Sequence, residues 1–478
     1  MARISNFFRT STASVAATNE IPDNELHIQI ESMTEELTGS SRAINKAEDN
    51  LDTGSRRTAG TASYIFLFLF YLHLLAAVVL IAYLTICGLD YSFSRENTHN
   101  FRPLDWYLPL LASSGCAFVI AFSWVTATLC NPSKTILTVL WLSPLLTFAV
   151  GILLLLIGSA GGLATSVIAI IFALVQSLYA CWVAKGIDHT TKILSLSMAA
   201  SAPSARNLDS LVILTGSLMA ATIYIWLSVS GIGGATATWT QFDPLYIFAI
   251  LLSLGWTMQV IKNAVHVGIS FVSYMYFARG VEVDSLWAFR DTWKYLIGNI
   301  CIGSFLEPVF AVIRGSACAM TAVTGDTDEF MFSCTSCYSG VARRLVSCGN
   351  RWGFVHVGVF GKGFVQSSID TWEMFRRVGM ESVVDLDLTG SFCFLCGVAG
   401  GSMCTLVAGS WSLAINKDHA TAISIYAFLI GYLMSRITMA WPQGCVSAYY
   451  VVFAENPKSL RFDTTIPDRI QELQQSSA

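Results

Sequence analysis

The sequence predicts an all-α integral membrane protein, a polytopic bundle of about ten transmembrane helices. Of its 478 residues, 54% are hydrophobic and only 13% are charged, whereas an ordinary globular chain carries about 25% charged residues. So few charges cannot cover a water-exposed surface, which argues against a soluble multi-domain enzyme. Apolar runs of roughly 20 residues, the length that spans a bilayer, recur from residue 63 to residue 451. The net charge of −4 gives no polyanion-binding character, so no nucleic-acid partner is expected.

Three parts follow one another along the chain. Residues 1–62 are polar and rich in Ser, Thr, Asn and Glu, which predicts a disordered cytoplasmic tail. Residues 63–451 form the transmembrane domain, and residues 452–478 form a second polar tail, again expected in the cytoplasm. The first apolar run begins near Tyr64 and is expected to remain in the protein as an uncleaved first span.

Apolar segments define the candidate spans. Two of them exceed thirty residues, so they must tilt strongly, break or protrude from the bilayer. The segments are 64–87, 107–129, 135–158, 161–184, 209–230, 244–277, 294–318, 388–414 and 420–451.

Lys and Arg residues set the predicted orientation, because cytoplasmic loops carry an excess of them. The N-terminal tail and the loops 185–207 and 278–293 contain basic residues and are placed inside, while loop 231–243 contains none and is placed outside. The basic segment 324–386 should also be cytoplasmic, yet one simple crossing at 294–318 would place it outside. Either 294–323 is re-entrant, an upstream run crosses twice, or 351–368 is itself a span.

A stripe of polar residues marks the long segment 244–277. Its members recur at three- and four-residue steps and therefore share one helical face. In lipid, polar side chains face the bundle interior or a water-filled cavity. The stripe therefore either lines a substrate path or provides interhelical hydrogen bonds that hold the bundle together. Its members are Trp256, Gln259, Asn263, His266, Ser270 and Tyr274, with Lys262 beside them.

Glu307 is the second polar signal, because it lies inside an apolar run and is followed directly by Pro308. An ionisable residue at such a position is a candidate functional residue. A proline removes a backbone donor, so we expect a kink or a break in the helix there. Glu307 either binds a cation or forms a structural ion pair with Arg314 or Lys262.

The sequence contains no catalytic or metal-binding pattern, so neither catalytic residues, a metal nor a cofactor is expected. It has no phosphate-binding loop, no zinc-protease motif and no nucleophile elbow. Cys334 and Cys337 form a lone Cys-x-x-Cys, which fits zinc or redox chemistry, palmitoylation or an inert reduced loop equally well. Aromatic residues are abundant, and a cavity lined by Trp and Tyr faces suits a quaternary ammonium ion, which has no N–H to donate.

Four stretches resemble the choline transporter-like family, solute carrier family 44. Together they cover roughly residues 245–465, and their order and spacing carry the resemblance. They are 256–263 with His266 and the aromatic end 274–277; the glycine-serine segment 296–305; the cysteine-bearing loop 334–348 followed by 350–364; and the segment 448–457, which ends in a phenylalanine, an acid and a proline.

The loop after the first predicted span, about 88–106, is short, and in this respect the chain resembles the fungal, plant or protist type of the family. The resemblance implies a multi-pass membrane protein with ten spans and cytoplasmic termini. It also implies transport of choline or a related amine, with no ATPase activity.

Our main hypothesis is a plasma-membrane carrier that moves choline or a similar quaternary amine through the bilayer without nucleotide hydrolysis. The predicted site lies between segments 244–277 and 294–318. Trp256 and Tyr274 would offer aromatic faces, and Glu307 would offer the counter-charge. Gln259, Asn263 and His266 would orient the substrate through polar contacts. The alternatives are a non-transporting membrane scaffold or trafficking protein of the same family, and a membrane enzyme acting on lipid head groups. The oligomeric state is not predicted.

Overall fold

The computed structural model describes most of the chain from residue 60 onward, and the structural statements below concern only that part. The predicted N-terminal tail and the cysteine pair Cys334 and Cys337 lie outside it. The described residues are 60–93, 102–183, 186–199, 207–238, 240–324, 345, 347–415, 417–457 and 465–477.

Every regular element in the described residues is helical. Eight helices and one π-helical turn precede α9 (Ile297–Thr324). They are α1 (Thr61–Phe93), α2 (Pro103–Cys130), α3 (Pro132–Ile157), α4 (Ala160–Val183), α5 (Ile187–Ala199), α6 (Asn207–Thr238), α7 (Asp243–Arg279), α8 (Ser285–Asp291) and the π-helical turn Thr292–Leu296.

The remaining helices begin with α9, which follows the π-helical turn directly. Short helices α10 to α12 separate it from the last long pair. The bounds are α9 (Ile297–Thr324), α10 (Gly353–Phe360), α11 (Phe364–Val378), α12 (Glu381–Asp385), α13 (Thr389–Ile415), α14 (Ala420–Thr438), α15 (Ala440–Glu455) and α16 (Thr465–Ser477).

Nine helical stretches of the described chain are long and apolar enough to cross a membrane. Each of them overlaps one of the nine apolar segments expected from the sequence, so the predicted all-α polytopic bundle is confirmed. Many large apolar side chains point away from the bundle, as expected where the surrounding solvent is hydrocarbon. Which end of the bundle faces the cytoplasm stays a prediction.

The two longest apolar segments are both longer than a bilayer span requires, and they differ in how the chain accommodates this length. Segment 244–277 lies in one continuous helix, α7, of 37 residues, which is about 55 Å long and so must tilt or protrude. Segment 420–451 divides into α14 and α15 at Met439. Pro442 explains the division, because its ring clashes with the carbonyl of Thr438 and it has no N–H to continue the helix.

Of the kink or break predicted at Pro308, the break is wrong, because α9 runs through this proline without interruption. Contacts with α7 support the turn that precedes it. Asn263 Nδ2 donates to Ser304 Oγ at 3.1 Å, and Ser304 Oγ donates to the backbone carbonyl of Gln259 at 3.4 Å. The neighbouring helix therefore holds the turn from which Pro308 removes a backbone hydrogen bond.

Segment 351–368 is not a span by itself. Its helix α10 has only eight residues, a length of about 12 Å, whereas the hydrocarbon core is about 30 Å thick. Gly361 ends the helix with a left-handed backbone (φ 65°), a conformation that favours glycine. Helix α11 then begins at Phe364.

Close packing of α13 on α14 forms one wall of the bundle. Gly400 and Gly431 make this possible, because a Cβ atom on Gly431 would lie 2.5 Å from the Gly400 carbonyl oxygen. Small residues at helix contacts are typical of membrane bundles. The centre is α7, whose middle is buried against α6, α9, α10 and α15.

Several short elements gather at one end of the bundle. The C-terminal helix α16 packs against α5 and α12. Helix α15 packs against α5 as well, and its last residue, Glu455, accepts a hydrogen bond from Tyr274 near the end of α7. The loop 185–207 and the C-terminal tail, both predicted on the cytoplasmic side, thus lie at the same end.

Candidate functional site

The polar stripe of α7 meets α9 at the middle of the stripe. Lys262 and Asn263 are almost completely buried there, with 2% and 0% of their surfaces exposed. A buried polar residue needs a partner, because the loss of hydration is otherwise uncompensated. The partner for this part of the stripe is Glu307 of α9.

Three α7 side chains contact the same carboxylate oxygen of Glu307. Gln259 Nε2 donates to Oε2 at 2.8 Å, and Asn263 Nδ2 donates to it at 3.2 Å. Lys262 Nζ lies 3.6 Å from Oε2. Spacings of three and four residues on α7 bring the three groups to one face, as the sequence pattern predicted. The sequence predicted Lys262 or Arg314 as the ion-pair partner of Glu307. Lys262 forms this pair, and the Arg314 side chain lies outside the described part.

The other carboxylate oxygen of Glu307 receives none of these contacts. The Glu307 side chain is 18% exposed, whereas the Lys262 side chain is 3% exposed. The ion pair is therefore asymmetric: the ammonium group is enclosed by protein, and the carboxylate borders open space. This geometry leaves Oε1 available to a second cationic or hydrogen-bonding group.

The open space beside Glu307 is a cavity of about 380 Å³. Helices α7, α9, α13 and α14 all contribute to its wall, so it extends beyond the two segments that the sequence indicated. Its volume lies within the range of small-molecule pockets, about 300–1,000 Å³. The lining residues are Met258, Gln259, Lys262, Glu307, Pro308, Ala311, Val312, Phe394, Tyr432, Leu433, Arg436 and Ile437.

Arg436 on α14 is a cavity residue that the sequence reasoning missed. It lies inside the apolar run 420–451, so the criterion that selected Glu307, an ionisable residue in a membrane segment, would also have found it. Phe394 and Tyr432 were missed too, because an aromatic residue in an apolar run carries no distinguishing signal. Their rings stand edge to face with centroids 6.1 Å apart.

Trp256 lies outside the cavity lining, one turn before Gln259. Its ring belongs to an aromatic cluster that joins α7 to α1 and α9. The ring centroids lie 5.5 Å from Phe70, 4.7 Å from His73 and 6.2 Å from Phe305. The Trp256 Nε1–H is buried with no hydrogen-bond partner among the described residues. This cluster braces α9 against α7 next to the Glu307 turn.

His266 and Tyr274 lie further along α7, also outside the cavity lining. His266 is 1% exposed and lies against the Phe354 ring at 5.8 Å. The Tyr274 hydroxyl donates to Glu455 Oε2 at 2.6 Å. Glu455 Oε1 lies 3.4 Å from His356 Nε2, and His356 Nδ1 lies 3.2 Å from the Thr371 hydroxyl. We call Tyr274, Glu455, His356 and Thr371 the end network.

The predicted site residues therefore fall into three groups. Gln259, Asn263 and Glu307 come together beside the cavity. Trp256 lies in the adjacent aromatic cluster. His266 lies toward the end network, and Tyr274 is part of that network. No group of His, Cys, Asp and Glu suitable for a metal ion occurs within the residues that the structure describes.

Comparison with known proteins identifies similar sequences. The sequence profile of a family described as "Plasma-membrane choline transporter" matches residues 167–458, more than half of the chain. Protein pns1 of Aspergillus fumigatus is 24% identical over 226 residues, which is 44% of this chain and 42% of that protein.

Two further relatives extend this pattern. Protein PNS1 of Yarrowia lipolytica is 27% identical over 234 residues, 45% of this chain and 41% of the relative. A CTL-like protein of Dictyostelium discoideum is 21% identical over 252 residues, 50% of this chain and 44% of the relative. The chain thus matches less than half of the length of these curated relatives.

Proposed function

The chain belongs to the choline transporter family, and on this basis we propose that it is a carrier that moves choline or a related organic cation across a membrane. No nucleotide is needed, because a membrane potential that is negative inside contributes about 2.3 kcal/mol per 100 mV to the entry of a monovalent cation. The family description and the membrane bundle support the proposal; the names of the fungal relatives do not specify a substrate.

One observation carries the proposal: a glutamate on a membrane helix borders a cavity with one carboxylate oxygen uncommitted. Ionisable groups inside a membrane are expensive and are typically kept for function. In a purely structural ion pair both carboxylate oxygens would be expected to find partners, but Glu307 uses only Oε2 for its three α7 contacts. Oε1 is then the natural counter-charge for a bound cation.

Each remaining residue of the predicted site has a proposed role. Gln259 and Asn263 hold the carboxylate in position by donating to Oε2. Trp256 fixes the Glu307 turn through Phe305 and offers an aromatic face one turn away. We propose that His266 belongs to the path between the cavity and the end network, and that Tyr274 acts through its hydrogen bond to Glu455 in that network rather than in the cavity itself.

The plasma membrane is the proposed location, because the matching family is described by that membrane. We further propose that both termini are cytoplasmic and that the protein has no enzymatic activity. Maleimide labelling of intact cells tests the orientation: Ser476→Cys, in a cysteine-depleted background, should react only after the cells are permeabilised. Labelling before permeabilisation would contradict the proposed side.

Uptake of radiolabelled choline into proteoliposomes tests the function. An inside-negative potassium diffusion potential should accelerate uptake by the unaltered chain. Glu307→Gln should lower the initial rate at least about tenfold, the change expected from the loss of a buried charge contact. Glu373→Gln is the matched control, because Glu373 is exposed on α11, outside the cavity.

Absence of potential-dependent uptake of choline and related amines by a well-folded chain would contradict the carrier proposal. It would favour the alternative, a non-transporting scaffold or trafficking protein of the same family. Equal loss of uptake in Glu307→Gln and Glu373→Gln would overturn the site while leaving the transport function standing.

A further inference from the structure

The cavity contains more positive than negative charge. Its lining includes three charged residues, Lys262, Glu307 and Arg436. Lys262 is committed to Glu307 at 3.6 Å, and this pair is neutral overall. Arg436 adds a second positive charge to the wall, close enough to Glu307 to interact with it electrostatically, and the three groups together carry one net positive charge. A substrate that is only a cation would meet this charge and be repelled by it.

Arg436 has no ion-pair or hydrogen-bond partner among the residues that the structure describes, and its half-buried side chain borders the cavity. Its aliphatic stem is accommodated by Gly397 of α13, where a Cβ atom would lie 3.0 Å from Arg436 Cδ. An arginine without a partner inside a membrane bundle is costly and marks a functional site by default. The guanidinium fork matches the oxygens of a carboxylate or a phosphate, which it binds through two parallel hydrogen bonds.

We propose that Arg436 binds an oxyanion and that the ligand of this cavity is a zwitterion or an anionic ester carrying an ammonium group together with a carboxylate or phosphate group. The ammonium end lies toward Glu307 Oε1 and the aromatic wall, and the oxyanion end lies on Arg436. This inference rests on the proposed carrier function and narrows its substrate class from an organic cation to an amine that also carries an acid.

The aromatic wall supports the assignment of the two ends. Tyr432 lies one helical turn before Arg436 on α14, and Phe394 of α13 stands edge to face with it. A quaternary ammonium group is attracted to aromatic faces and needs no hydrogen-bond acceptor. Tyr432 is held in place by stacking on Phe428, with an interplanar angle of 11°. The cavity thus presents aromatic rings, a carboxylate oxygen and a guanidinium group to one ligand.

A matched series of three ligands tests the proposal. Choline has the ammonium group alone, glycine betaine adds a carboxylate, and phosphocholine adds a phosphate. Binding is measured with the purified full chain in a maltoside detergent, which contains neither an ammonium nor a phosphate group. The variants are Arg436→Gln and Arg436→Lys, with Arg376→Gln as control; the Arg376 side chain is 77% exposed on α11.

The unaltered chain should bind glycine betaine or phosphocholine at least about tenfold more tightly than choline, because a guanidinium–oxyanion contact is charge-assisted. Arg436→Gln should remove this preference and strengthen choline binding, because the charge that repels a cation is gone. Arg436→Lys should retain part of it, because lysine keeps the charge but not the fork. Arg376→Gln should bind all three ligands as the unaltered chain does.

A lipid headgroup can also carry an ammonium group together with a phosphate group. If a short-chain phosphatidylcholine competes for the cavity more strongly than phosphocholine does, the lipid is the ligand. If phosphocholine competes more strongly, the free solute is the ligand. Both results support an oxyanion on Arg436, provided that Arg436→Gln abolishes the competition.

The failures of the two proposals are distinguishable. If choline binds and Arg436→Gln changes the affinity of none of the three ligands, the oxyanion assignment is overturned while the carrier proposal stands. If folded protein, verified by a single thermal transition, binds none of the three, the proposed function fails and this inference fails with it. If Arg436→Gln does not fold, Arg436→Lys is used instead. A reduced preference for phosphocholine over choline in this variant supports the oxyanion assignment, and an unchanged preference overturns it.

Discussion

Two regions along the same helix use polar residues in opposite ways. Around Lys262, helix α7 places its polar groups beside a cavity, and Glu307 and Arg436 keep groups without partners among the described residues. Around Tyr274, the polar groups of the end network contact one another in a chain that joins α7, α15, α10 and α11. Polar groups without a protein partner can bind a ligand, whereas polar groups that bond to one another stabilise the fold. Substitutions in the first region should therefore lower uptake even where stability is kept or restored, whereas those in the second should affect stability alone.

The largest expected effect comes from the Lys262–Glu307 pair. Glu307→Gln leaves a buried ammonium group without its counter-charge, which typically costs about 3–5 kcal/mol of stability. The double variant Lys262→Gln/Glu307→Gln should recover most of that stability in a thermal unfolding experiment, yet choline uptake should stay low. Recovery of uptake together with stability would show that Glu307 serves only as the partner of Lys262.

Asn263→Leu should separate function from folding within the same region. Asn263 is completely buried and donates to Ser304 and Glu307. Its replacement by an apolar residue of similar size should cost about 1 kcal/mol of stability, whereas uptake should fall about tenfold because the Glu307 carboxylate loses one of its positioning bonds. Initial uptake rates, normalised to the amount of reconstituted protein, provide the measurement. An unchanged rate would mean that the polar stripe only holds the helices together.

Tyr274→Phe probes the end network. The substitution removes the 2.6 Å hydrogen bond to Glu455 and keeps the ring. We expect a loss of about 1 kcal/mol or somewhat more, because the acceptor is a carboxylate, and no change in the substrate concentration that gives half-maximal uptake. Thermal unfolding and uptake are measured on the same preparation. A large shift in that concentration with intact stability would assign the Tyr274 hydroxyl to the substrate site.

The smallest effect is expected at Asp370, on α11 outside the membrane spans. Lys362 donates to Asp370 at 2.6 Å and holds the pKa of this carboxyl below its usual value. A lowered carboxyl pKa contributes stability above the unfolded value near 3.8, and this contribution is lost as the pH falls through the folded value. Because both groups are partly exposed, Asp370→Asn should cost about 0.5 kcal/mol at pH 7, and this cost should shrink as the pH falls below 3.8.

The apolar segments were predictable because the bilayer imposes one simple requirement, a length of apolar helix. The division at Met439 was also encoded locally, by Pro442. Segment 351–368 was harder, because its apolar composition suits a span while Gly361 stops helix α10 after eight residues. The effect of Pro308 depended on contacts with α7, so no local pattern could reveal that α9 continues through it.

The site was predictable in part for a similar reason. The stripe on α7 and Glu307 were visible because polar residues in apolar runs are rare. Their meeting, however, depends on how α9 packs on α7, and the division of the stripe between a cavity and the end network depends on α10, α14 and α15. Arg436 fulfilled the same criterion as Glu307 and was overlooked, while Tyr432 and Phe394 acquire a role only through their position beside the cavity.

Ligand protection of a cavity position tests whether the substrate occupies this cavity. Ala311 lines the cavity and is exposed, so Ala311→Cys, in a chain whose native cysteines are replaced, should react with a small maleimide. Glu373→Cys on α11 is the control outside the cavity. Choline, and phosphocholine more strongly, should slow the reaction at position 311 but not at position 373. Equal reaction rates with and without ligand, in protein that still takes up choline, would contradict the placement of the substrate in this cavity.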